Sequence, residues 1–256
     1  MEIPVTRLRE FYKFLGIFST ETHLKILEDF NRKNNYTKLI KIFEESQVHF
    51  AKYSSNDSFT SASKRKALPS LPIHTIKRTN DFVAILESNK TNKINKNPDF
   101  DFVFIDREIS PFRTTGGIKF ETGKSGKSSG TGGLDFIGKN IKNGLPIIGE
   151  IKVGNDKNPF FAVIQLLTYL SELTTNNQLE RIRSTNLFKN RTTKVKSDIF
   201  YLYILLSNYN LNSPLKKKLL NESQKLAQKL KEIGNIKDIV FIELNDIMEG
   251  MNQVHK

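Results

Sequence analysis

The chain has 256 residues, no cysteine, and a formal net charge of +13 from 40 lysines and arginines against 27 acids. That length buries a full core without staples, and the lack of cysteine excludes disulfides, thiolate-bound zinc and iron–sulfur clusters. The basic excess favours a polyanionic partner, because lysine and arginine gain affinity by releasing counterions from phosphates.

The N-terminal residues Met1 to Arg9 lack the apolar stretch of a signal peptide, and no apolar run is long enough to span a bilayer. A soluble, cytoplasmic protein with no membrane partner is the expectation. His23, His49, His74 and His255 lack ligand spacing and read as ordinary surface or core residues. Residues 1–53 read as a helical segment: Leu8, Phe11, Tyr12 and Leu15 repeat at helical spacing, as do Leu24, Leu27 and Phe30, then Leu39, Ile40 and Phe43. Thr20 is placed to cap the second helix, and the aromatic residues of this segment read as core packing and not as a base-stacking platform. Residues 54–70 form a serine-rich, basic connection containing Lys64, Arg65 and Lys66.

From residue 71 to 256 the pattern is that of an α/β domain. Leu71 to Lys77 and Asp81 to Glu87 are strand-like, and Asp99 to Asp106 alternates as a third strand. Thr114 to Gly133 is rich in glycine and includes Lys124 and Lys127. It is not a P-loop, because neither Gly123-Lys124-Ser125 nor Gly126-Lys127-Ser128 has the required upstream glycine, and the loop runs into a strand. Its glycines and lysines suit a nucleic-acid backbone, and an inert loop fits equally well.

Two short apolar segments follow, Leu134 to Ile137 and Leu145 to Val153, with Gly138, Asn140, Asn143 and Gly144 as turn formers, so an antiparallel pair of strands is expected. Such pairing brings Asp135 beside Glu150. Alternation puts Glu150 and Lys152 on one face, about 7 Å apart along the strand. Two adjacent carboxylates suit a hard divalent cation such as Mg²⁺ or Mn²⁺, and a nearby ammonium suits a developing phosphorane charge. Glu150-Ile151-Lys152 is the only acid-x-Lys triplet in the chain.

Asn158 and Pro159 then begin a helix through Leu173 that carries Gln165 and Tyr169 at i, i+4. Arg181, Arg183, Lys189, Arg191, Lys194 and Lys196 make the most one-sided basic segment. Ser197 to Leu206 reads as a buried central strand, Ser213 and Pro214 open a helix with Leu215, Leu219, Leu226 and Leu230 in one stripe, and Asp238 to Leu244 is a last strand. The fold expected is α/β, a mixed central sheet flanked by helices.

Leu134-Asp135 followed by Glu150-Ile151-Lys152, with Gln165 and Tyr169 on the next helix, resembles the PD-(D/E)XK nucleases, and the Gln-x-x-x-Tyr helix is similar to that of the lambda-exonuclease and RecB-like branch. The resemblance implies a restriction-endonuclease-like core and Mg²⁺-dependent (or Mn²⁺-dependent) hydrolysis of DNA, with RNA left open. Asp135, Glu150 and the carbonyl of Ile151 would then hold the metal, Lys152 would act on the attacking water, and Gln165 would orient that water or a phosphate. Lys124, Lys127, Tyr169, Arg181, Arg183 and Arg191 are the candidates for nucleic-acid contact. Leu134 stands where the family has proline, and Glu44, Glu45 and Glu108 compete for the role of an upstream glutamate. The rival readings are a non-cleaving nucleic-acid-binding subunit of a larger assembly and an ordinary hairpin with a solvated Asp, Glu and Lys. A homodimer is compatible with all of them.

Overall fold

A computed structural model of the chain describes residues 5–32, 34–52, 79–109, 134–153, 158–184, 195–207, 209 and 212–247. Three helices come first, α1 (Leu8–Leu15), α2 (Thr20–Asn31) and α3 (Tyr36–Ala51). Their buried positions, Leu8, Phe11 and Leu15 in α1 and Leu39, Ile42, Phe43, Ser46 and Phe50 in α3, follow the helical period of the sequence. Ser19, not Thr20, caps α2: its hydroxyl accepts the N–H of Thr22, which leaves Thr20 as the first helical residue.

The segment Asp81–Glu87, expected to be a strand, lies inside a helix, α4 (Thr79–Ser88). Phe82, Val83 and Leu86 are its buried residues, a spacing that one helical face satisfies and one strand face does not. Leu71 to Lys77, the serine-rich connection and the glycine-rich loop lie outside the described residues.

After a 3₁₀ turn at Pro98–Phe100 come strands β1 (Phe102–Ile109), β2 (Leu134–Asn140) and β3 (Pro146–Lys152). Helices α5 (Pro159–Leu173) and α6 (Asn176–Arg183) lead to β4 (Phe200–Leu206), and α7 (Pro214–Leu230) leads to β5 (Ile236–Glu243). The strands form one open sheet in the order β1-β2-β3-β4-β5. β1, β2 and β3 are antiparallel neighbours, and β3, β4 and β5 run parallel, so the fold is α/β with a mixed sheet. Among the described residues no helix is long and apolar enough to cross a membrane.

Alternation sorts the sheet into two faces. Ile137, Ile148, Leu202 and Ile204 join α1, α2, α3, α5 and α7 in one core, and Phe104, Phe136, Ile147, Ile151 and Tyr203 join α4 in the other. The N-terminal helices therefore share a core with α5 and α7 and are not an appendage. Asn158 opens α5 by accepting the N–H of Phe161 at 3.0 Å, with Pro159 in the first helical position, as the sequence leads one to expect.

Candidate active site at the carboxyl end of strand β3

The β2–β3 hairpin is fixed at both ends. At its turn Gly144 adopts φ +74°, the Asn140 side chain accepts the N–H of Asn143, and Asn143 accepts that of Leu145. In its middle Phe136 pairs with Gly149, and a Cβ on Gly149 would stand 2.0 Å from the Phe136 ring, so the ring lies directly across the glycine. One residue further along this register Asp135 is level with Glu150. The Asp135 carboxylate also accepts the backbone N–H of Ile151 at 2.7 Å, which ties it to the last turn of the pleat in β3.

Glu150 and Lys152 have the same parity as Ile148, which packs on the α5 side, while Ile151 belongs to the opposite core. Both charged residues are buried, at 4% and 2% exposure. The distance along the strand is bridged by their side chains: Lys152 Nζ lies 3.1 Å from Glu150 Oε1. It also donates to Gln165 Oε1 at 3.1 Å and lies 5.6 Å from the centre of the Phe161 ring. An isolated buried charge is costly, and this lysine is compensated by a carboxylate, an amide oxygen and an aromatic face at once. Burial excludes the reading of a solvated hairpin.

Helix α5 supplies the other wall. Gln165 is half-buried and turned to Lys152; one turn later Tyr169 is buried, its phenol pushed above its ordinary value first by burial and then by the negative charge of Glu150. Glu172, also buried, receives Arg9 of α1 in a forked pair, with Nη2 at 2.6 and 2.8 Å and Nε at 2.9 Å from its oxygens. Tyr12, one turn after Arg9, stacks on Phe161 with ring centres 4.5 Å apart and planes 20° apart. On α2 the His23 Nδ1 accepts from the Asn158 amide at 2.6 Å, and its Nε2–H donates to the Leu15 carbonyl at 2.8 Å. The tautomer follows from the partners, since the other Asn158 side-chain atom is engaged in capping α5. Arg9, Tyr12, His23, Phe161 and Glu172 are thus site-wall residues that sequence patterning does not single out.

The remaining candidates are dispersed. Lys124, Lys127 and Arg191 lie outside the described residues. Arg181 is buried, at 5% exposure, and donates to Gln178 Oε1 at 2.7 Å, so burial withdraws it, as it withdraws Tyr169, from the direct contact with a nucleic-acid backbone expected of them; Arg183 is exposed. Of the three upstream glutamates, Glu44 is exposed on α3 and Glu45 lies 3.9 Å from Lys41 on the same surface. Glu108 falls in β1 between the pairs Arg107–Phe136 and Ile109–Leu134, and that register sets its backbone level with Asp135.

Among the described residues no cluster of three or more His, Cys, Asp or Glu side chains is placed to hold a metal ion. The donor set present is nonetheless of the kind that suits Mg²⁺, which dehydrates reluctantly and is held by one or two carboxylates together with waters and substrate phosphates. Asp135 and Glu150 are such a pair, and the Ile151 carbonyl lies between Glu150 and Lys152. No family model, curated protein or solved structure matches this chain.

Proposed function

We propose that the chain is a metal-dependent nuclease that hydrolyses phosphodiester bonds of DNA at the carboxyl end of β3. The observation that carries this reading is one buried ammonium, Lys152, held between Glu150 and Gln165 on the sheet face that Asp135 also occupies. A Mg²⁺ or Mn²⁺ ion held by Asp135 and Glu150 would neutralise phosphate charge and lower the pKa of an attacking water. Lys152 offers a cation to the charge that develops on the phosphate, and its placement is fixed before substrate arrives, so little reorganisation is left for the reaction step. Gln165 acts on that lysine: its Oε1 accepts from Nζ and sets the direction of the ammonium. Asp135, anchored on the Ile151 N–H, keeps its carboxylate beside Glu150 without needing the metal to place it. The net charge of +13 supports a polyanionic substrate.

A second reading, a nucleic-acid-binding protein that does not cleave, is favoured by the direct contact of Lys152 with Glu150, which occupies one of the two carboxylates. Incubation of the purified chain with linear and circular DNA in Mg²⁺, Mn²⁺ or EDTA decides between them. Cleavage in either metal that EDTA stops is expected; binding without cleavage under all three conditions would leave the second reading.

A further inference from the structure

The wall of the site opposite β3 is aromatic. Phe161 is half-buried, and it carries Tyr12 stacked at 4.5 Å and the His23 ring near-parallel to it at 6.0 Å. Tyr12 is itself half-buried, so the pair is not sealed into the core as Phe11 and Phe160 are, both of which are fully buried. The turn after α1 leaves the tip of Phe161 uncovered: Gly16 is exposed there, and even a Cβ on it would stand 4.0 Å from the ring. The same ring lies 5.6 Å from Lys152 Nζ. A phosphate drawn to that ammonium brings its own base to the aromatic pair, because base and phosphate of one nucleotide are separated by a single sugar.

An aromatic face rewards only a base whose own face is bare. In an intact duplex the faces are used up between neighbouring pairs, whereas an unpaired strand presents them, and stacking on protein rings is tolerant of sequence because every base has a π-face. We propose that Tyr12 and Phe161 form a base-stacking platform beside Lys152, which makes the preferred substrate a single-stranded segment of nucleic acid. This rests on the reading of Asp135, Glu150 and Lys152 as a nuclease site and adds the strandedness of its substrate. The stripe that looks like core packing in the sequence thus has two destinations: Leu8, Phe11 and Leu15 enter the core, and Tyr12 faces the site.

The test is a titration of short oligonucleotides carrying 2-aminopurine, single-stranded and as the matching duplex, in EDTA so that nothing is cut. The parent protein is expected to bind the single strand more tightly than the duplex and to quench 2-aminopurine on binding. Tyr12→Phe keeps the ring and should preserve both properties. Tyr12→Leu keeps apolar cover on Phe161 and should lose the quench and about tenfold in single-strand affinity, with duplex affinity unchanged. Circular dichroism on the same samples verifies that each variant is folded. A parent that prefers duplex, or a folded Tyr12→Leu that binds and quenches like the parent, overturns the platform. A parallel cleavage assay in Mg²⁺ separates the two claims: cleavage that is indifferent to Tyr12 overturns the platform alone, while ring-dependent binding with no cleavage supports the platform and removes the nuclease reading.

Discussion

Replacing Lys152 with methionine removes the cation from a pair whose side chains are 3% and 5% exposed and whose charged atoms are 3.1 Å apart. Methionine is close to lysine in shape, so packing survives and the main consequence is electrostatic: Glu150 is left in the sheet without its ammonium. Breaking a buried pair on one side costs about 3–5 kcal/mol. With an m-value of about 3 kcal/mol per molar urea for a chain of this length, the unfolding midpoint should fall by about 1–1.5 M. Adding Glu150→Gln removes the stranded charge and should bring the midpoint back to within about 0.3 M of the parent, because a neutral buried pair is as stable as the ionic one or more so. The assay is urea unfolding followed by circular dichroism on the parent, the single variant and the double variant. A Lys152→Met midpoint equal to that of the parent would refute the reasoning, since it would mean that Glu150 does not depend on this lysine. The restored double variant, if inactive, would also show that the ion pair is present for its chemistry and contributes little to the fold.

Other outcomes follow from particular contacts. Gly149→Ala drives a methyl group into the Phe136 ring, 2.0 Å away, and should cost about 1–3 kcal/mol in urea unfolding while also lowering any cleavage, because Asp135 and Glu150 flank that pair; an unchanged midpoint would mean that the ring does not lie across the glycine. Asn158→Ala removes the cap of α5 and the acceptor-side partner of His23, and should cost at least about 1 kcal/mol by the same measurement; no loss would mean that the cap is idle. Burial raises the phenols of Tyr169 and Tyr203 above the usual 10.0 and pushes Tyr209 up to about 12. Raised folded values mean that the associated stability is complete below about pH 10 and is lost as pH climbs through 12 and beyond. Phenolate absorbance and circular dichroism should therefore rise and fall together in alkali, and full ionisation in a chain that stays folded would contradict the burial.

The hairpin was legible because strand alternation and turn-forming asparagines and glycine act over a dozen residues. Asp135, Glu150 and Lys152 share a face for the same local reason, and the cap at Asn158 is a two-residue signal. Asp81 to Glu87 was misleading because a short run rich in aromatic and aliphatic residues has no period of its own, and its packing beneath β1, β2 and β3 settles the matter. Helix α6 is too polar to announce itself, with only Leu179 and Ile182 spaced for burial among its apolar residues. Contacts across large sequence separations were out of reach: Arg9 meets Glu172 and Tyr12 meets Phe161 only once α1 lies on α5. Arg181 looks like part of a basic surface in sequence, and its burial beside Gln178 is a tertiary outcome.

The most direct measurement of the central claim is cleavage of labelled DNA in Mg²⁺ by the parent, Lys152→Ala, Asp135→Asn and Glu150→Gln, with DNA binding measured on the same preparations. The site as described predicts that Lys152→Ala lowers the rate by about a hundred- to thousandfold while binding is largely kept, the loss expected for one preorganised electrostatic stabiliser, and that the two carboxylate variants are at least as impaired. Metal-dependent cleavage by the parent with a fully active Lys152→Ala would contradict it.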